Sequence, residues 1–162
     1  MIPGNFFSKC IEIERLIGSI YAHFAQNANY DDLRRDMWKK LSQDEEGHAL
    51  DLEFASRLSL KNEQLSTTIP IGLLDELLAH LNKIQHSVQQ HCVSDAEAVK
   101  LAVEIEVEAM VVHSRNAVEF HDEQLRKLFL ALGTYDSKHL HPLAEAYHHL
   151  HGHEPVSLTQ GF

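Results

Sequence analysis

Residues 42–50 read SQDEEGHAL and set Glu45 three residues ahead of His48. On a helix, side chains at that spacing share a face. A carboxylate and an imidazole together suit iron or manganese, whereas thiolates would point to zinc or clusters. The spacing alone proves little in this chain. With 24 acidic residues and 13 histidines among 162, composition gives about two carboxylate-x-x-His pairs by chance. The chain has three: Glu45/His48, Asp136/His139 and Glu145/His148. Only placement separates ligands from coincidence.

The elements that must do the placing read as helices throughout. With four prolines, seven glycines and no long β-branched alternation, the apolar period is helical. A first helix begins between Asn5 and Ser8 and runs to about Asn29, with Cys10, Ile13, Ile17, Ile20 and Phe24 on its stripe. Asp31 is the expected N-cap of a second helix carrying Trp38, Leu41, Leu52 and Ala55 and fading near Leu60. After the polar break KNEQLSTT, residues 70–92 read as an amphipathic crossover helix opened by Pro70. Its expected buried side is Leu73, Leu77, Leu81, Ile84 and Val88. Ser94 and Glu97 form a capping box for a third main helix reaching about His121. Asp122 caps the fourth, which carries Leu125, Phe129, Leu132 and Leu143. Pro142 is expected to kink or split it, and Gly152 to end it ahead of a polar tail. The expectation is one all-α domain over residues 1–162, four main helices plus a crossover that makes the second and third parallel.

The two halves repeat one another. Glu14 lies 17 residues before Asp31, and Glu106 lies 16 before Asp122. Glu45 and Asp136 each lie 14 residues after their cap, with His48 and His139 three further on. At about 1.5 Å per residue, Glu14 and Glu45 are level on neighbouring antiparallel helices, as are Glu106 and Asp136. All six fall on the apolar side: Glu14 continues the stripe of Cys10, Ile17 and Tyr21, and Asp136 lies between Leu132 and Leu140. A single glutamate on a helix is usually solvated. Four bare carboxylates in a bundle core would be heavily destabilising, and two divalent cations would neutralise them. Gly18, Ala49 and Ala109 leave room. Glu145/His148 has no counterpart, and Glu12, Glu46, Glu104 and Glu108 are expected to point elsewhere.

One glutamate on the first and third helices, with carboxylate-x-x-His on the second and fourth, resembles the ferritin-like di-iron carboxylate proteins, specifically the rubrerythrin-like ones. The motifs are IEIERLIGSIY, with Tyr21 seven residues after Glu14, together with DEEGH and AVEIEVEAM, over roughly residues 8–146. The resemblance implies a ferritin-like four-helix bundle with two iron ions, or manganese, or a mixed pair. It implies Glu45 and Glu106 as bridges, with Glu14 and Asp136 each terminal beside one histidine. It also implies peroxide or oxygen as reactant, in peroxide reduction or ferrous oxidation serving oxidative-stress defence, and a homodimer. Tyr21 would hydrogen-bond a ligand carboxylate or pass an electron; the plainer reading is a core aromatic with a satisfied hydroxyl. Asp136 stands where the family has Glu, Val103 where peroxide-reducing members have a further glutamate, and His113 where a tyrosine is expected seven residues after Glu106. His113 reads as a hydrogen-bonded core histidine. No rubredoxin-like cysteine module follows, so electrons would come from a separate donor protein. Glu46 occupies the place of the haem-ligating methionine of bacterioferritins, so no haem or storage shell is expected.

The bulk numbers agree. A net charge of −10 repels nucleic-acid backbones and anionic membranes; there is no run of about 18 apolar residues, and MIPGNFFSKC lacks the basic-then-apolar order expected of a signal peptide. A cytoplasmic protein is expected. Cys10 and Cys92 form no C-x-x-C, and Cys10 reads as a small hydrophobe. Asp44 and Asp51 are candidates to hold the outer nitrogen of a ligating histidine. Two other readings remain open: a di-iron oxygenase acting on an organic substrate, which needs an open cavity beside the metals, and a metal-free helical bundle used for protein association, with carboxylates paired to histidines.

Overall fold

The computed structural model describes residues 5–59, 71–119, 122–153 and 155. They form five helices: α1 (Phe6–Ala25), α2 (Asp32–Ser59), α3 (Ile71–Gln90), α4 (Asp95–Glu119) and α5 (Glu123–His151). No helix among them is long and apolar enough to cross a membrane.

The caps act as their residue types dictate. Asp31 Oδ1 accepts from Arg34 N at 2.7 Å. Ser94 N donates to Glu97 Oε2 at 3.0 Å while Glu97 N donates to Ser94 Oγ at 3.3 Å. Asp122 Oδ1 accepts from Gln124 N and Leu125 N. Gly152 ends α5 at φ 74°, a left-handed conformation that suits glycine.

Three boundaries and faces differ from the sequence expectation. First, α1 stops at Ala25 rather than near Asn29. Asn27 competes with the helix there: its Oδ1 accepts from Asn29 N at 3.0 Å and its Nδ2 donates to Val93 O at 3.2 Å. Second, α3 buries Leu74, with Leu77, Leu78, Leu81, Ile84 and Val88, while Leu73 is only half-buried. Third, of the kink or split expected at Pro142, a split does not occur: α5 is continuous through it. The lost bond frees the carbonyl of Lys138, an exposed residue, so water can satisfy it. Leu60, Pro70, His121 and the end of the tail lie outside the described residues.

Contacts fix the topology. Ser42 Oγ donates to Gly18 O, and Arg15 Nη2 meets Glu53 Oε1 at 2.6 Å, so α1 and α2 are antiparallel. On the other side of α1, Lys9 pairs with Asp75 and Ser19 with Gln85, so α3 runs parallel to α1. Arg34 near the start of α2 meets Asp95 at the start of α4 at 2.9 Å. The crossover therefore brings α4 parallel to α2. The core along these helices includes Trp38, Tyr21, Phe6, Phe24, Phe129, Ile13, Ile17, Leu52 and Leu81, all under 2% exposed. Each such side chain contributes roughly 1.5–3 kcal/mol by leaving water, and together they fix helix depth and rotation around the polar centre.

Candidate metal centre

Among the described residues, seven carboxylate or imidazole side chains lie inside this apolar frame: Glu14, Glu45, His48, Glu106, His113, Asp136 and His139, none more than 6% exposed. Glu14 reaches the centre from α1, Glu45 and His48 from α2, Glu106 and His113 from α4, and Asp136 and His139 from α5. Glu12 and Glu46 are exposed, and Glu108 pairs with His80 at 2.8 Å. Glu145 and His148 are both exposed.

The buried oxygens and nitrogens form two overlapping groups. In one, Glu14, Glu45 and His48 each offer a ligand atom within 4.8 Å of the others; in the second, Glu45, Glu106 and His139 do so. His48 Nδ1 lies 3.2 Å from Glu14 Oε2 and 3.0 Å from Glu45 Oε2. His139 Nδ1 lies 3.0 Å from Glu45 Oε1 and 3.4 Å from Glu106 Oε1. Glu45 therefore joins the groups, one oxygen in each. Asp136 belongs to neither: its Oδ2 meets His113 Nδ1 at 2.7 Å, and His113 Nε2 lies 3.0 Å from Glu14 Oε1. Five of the six residues expected at the centre thus converge on two three-donor groups, and the sixth turns to the buried His113.

Whether these groups suit cations is tested by what they leave unsatisfied. Glu14 Oε1, Glu45 Oε1 and His139 Nδ1 are fully buried without a well-aligned hydrogen bond, although histidine or carboxylate atoms stand nearby. Such orphans are rare because each lost partner is destabilising by about 1–3 kcal/mol. A divalent cation between Glu45 Oε1 and His139 Nδ1 would satisfy those two together, whereas Glu14 Oε1 faces His113 Nε2. The donors are all oxygen and imidazole nitrogen, and buried Cys10 is not among them. The two groups can hold metal ions, and the set matches hard-to-borderline divalent cations.

Charge is tuned by burial and by cross-helix contacts. Burial alone would raise Glu14, but His113 and His48 outweigh it and hold its carboxyl far below the usual range. Burial raises Glu45, against the opposing pull of His139 and His48. Burial and the neighbouring Glu45 charge push Glu106 up to about 8. Burial would lower His48 and His139, yet the carboxylates facing them raise them to about 10 and about 11. The imidazoles therefore hold protons that an incoming cation must displace.

The surrounding residues complete the picture. Tyr21, fully buried, donates its hydroxyl to Glu106 Oε1 at 2.7 Å and stacks obliquely on Trp38 at 5.5 Å. Asp44 Oδ2 lies 3.6 Å from His139 Nε2, the outer nitrogen, while Asp51 is exposed. A cavity of about 530 Å³ between α2 and α5 is bordered by His48, His139, Asp44, Asp51, Leu50 and Tyr135. Tyr135 stacks on His48 at 5.2 Å. The sequence reading missed Tyr135; its one local signal is a position one helical turn before His139. Compared with protein-family models, with curated proteins and with solved structures, the chain matches none.

Proposed function

We propose that this pocket is a two-cation carboxylate centre of the rubrerythrin-like kind within a ferritin-like bundle, with iron, manganese or a mixed pair as its metals. The observation that carries the reading is Glu45: one buried carboxylate presents its two oxygens to two histidines from different helices, at the join of two three-donor groups. Glu45 would therefore serve both cations of a two-metal centre.

Glu14, Glu45 and His48 would hold the first cation, and Glu45, Glu106 and His139 the second. When bound, a ferrous pair supplies two electrons, one from each ion, which with two protons reduce hydrogen peroxide to two waters. The chain's own residues do the rest. Tyr21 fixes the Glu106 carboxylate through its hydroxyl. Asp44 stands behind His139 and favours the ring orientation that aims Nδ1 inward. Ile17, Phe129 and Trp38 are buried in the apolar frame around the centre, whose open side is the cavity bordered by His48 and His139. A separate protein would return the electrons. The substrate is peroxide, or oxygen with ferrous ion.

Metal content after anaerobic reconstitution, followed by peroxide turnover with an added reductant, tests this. Two cations per chain and turnover that collapses in Glu45→Gln support it; unchanged turnover in that variant removes the centre from the chemistry. The cavity beside His48 and His139 favours a second reading, oxygenation of an organic substrate, which predicts substrate-dependent oxygen consumption. The carboxylate–imidazole pairing of His113 favours a metal-free bundle, which predicts well under one cation per chain.

A further inference from the structure

The two residues that stand seven positions after Glu14 and Glu106 are Tyr21 and His113. Each crosses to the glutamate of the opposite half: Tyr21 reaches Glu106 Oε1 at 2.7 Å, and His113 Nε2 reaches Glu14 Oε1 at 3.0 Å. They occupy equivalent places, but a phenol has one polar atom and an imidazole has two. The second nitrogen of His113 takes Asp136 Oδ2 at 2.7 Å, with both side chains buried. Glu45, the equivalent of Asp136, meets no such competitor and turns to His48 and His139. Local packing reinforces the capture. A Cβ on Gly133 would stand 3.2 Å from Ser114 Oγ and 3.8 Å from His113 Cβ, so α5 runs close against α4 where His113 sits. Aspartate is also one methylene shorter than glutamate, which limits its reach inward.

We propose that His113 is a positioning residue that holds Asp136 out of the second cation position, so that Glu45 completes both positions. The pair of cations is then served by three carboxylates and two imidazoles, the second position lacking a carboxylate from its own histidine's helix. This rests on the two-cation reading above, and its consequence is a second position that binds more weakly than it would with Asp136 and keeps coordination places for small exogenous ligands.

Anaerobic Co(II) titration followed by ligand-field absorption tests it in full-length protein, with His48→Ala used to isolate the second position. In that background Asp136→Asn leaves Co(II) affinity essentially unchanged. His113→Tyr, which keeps one polar atom for Glu14 and releases Asp136, tightens the second position by about tenfold or more, the scale on which ligand-orienting residues act. The gain disappears when Asp136→Asn is added, and the absorption of the His113→Tyr protein shifts toward higher coordination. A tenfold loss on Asp136→Asn alone, or no gain in His113→Tyr, overturns the proposal while leaving the two-cation reading intact. Native protein that binds no Co(II) overturns both. Should His113→Tyr fail to fold, as circular dichroism would show, the Asp136→Asn arm decides alone.

Discussion

The α1–α2 half and the α4–α5 half place their carboxylates and histidines at matched depth, yet they use them differently. In the first half, both Glu45 and His48 turn to the centre; in the second, His139 does and Asp136 does not. Two residues differ between the halves: the carboxylate itself, Glu45 against the shorter Asp136, and the side chain two turns beyond the helix glutamate, Tyr21 against His113. The second polar atom of His113 meets Asp136 Oδ2 at 2.7 Å, a contact that the single hydroxyl of Tyr21, spent on Glu106, does not offer Glu45. Internal repetition in sequence thus fixes where donors stand along a helix, while the partner across the interface decides which way each one turns.

The harshest way to break this comparison is to remove the residue both halves share. Glu45→Gln should abolish binding at both positions, a loss beyond the about 10- to 100-fold that follows removal of an outer-shell partner. Metal analysis that still finds two cations per chain in that variant would mean the halves bind independently. The pH dependence sharpens the contrast. At the first position His48, raised to about 10, must lose a proton, whereas Glu14 is already ionised. At the second position His139, raised to about 11, and Glu106, at about 8, must both lose protons. Affinity therefore rises with pH at both positions through neutrality, by about tenfold per unit for each proton displaced, and more steeply at the second. Co(II) titrations of His139→Ala and His48→Ala proteins across neutral pH measure the two slopes; equal slopes would contradict the difference.

Smaller effects probe the residues around the ligands. Tyr21→Phe leaves Glu106 without its hydroxyl donor and should destabilise the fold by about 1–3 kcal/mol, read by chemical denaturation. A negligible change would mean that water or a cation replaces the hydroxyl. The glycines separate the halves last. A Cβ at Gly18 meets Glu45 Cβ at 3.2 Å and Ser42 O at 3.3 Å, both rigidly placed, whereas at Gly133 the closest atom is the rotatable Ser114 Oγ. Helix propensity favours either alanine by about 1 kcal/mol. Gly18→Ala should still lower stability, by roughly 1–3 kcal/mol from overpacking, while Gly133→Ala stays near neutral. Thermal melts of the pair in parallel check the order.

Much of the fold was legible because helix starts are local chemistry. Asp31, the Ser94/Glu97 box and Asp122 each cap a helix through bonds spanning two or three residues. The end of α1 was less legible, since Asn27 is held partly by Val93, a residue distant in sequence. Leu73 and Leu74 are adjacent, so the stripe alone could not say which would meet α1 more fully. His113 was recognisable as a core histidine, but not as the partner of Asp136.

The sequence by itself determined the depth of Glu14, Glu45, His48, Glu106, Asp136 and His139, because rise per residue is constant and the caps start the count. It also determined that these side chains would be buried, because they interrupt apolar stripes. Only the tertiary structure decided that Glu45 would face both histidines and Asp136 would face His113. Rotamer and hydrogen-bond choice in a buried polar cluster depends on which atoms arrive from other helices and how closely the backbones approach, and neither is written in any one segment.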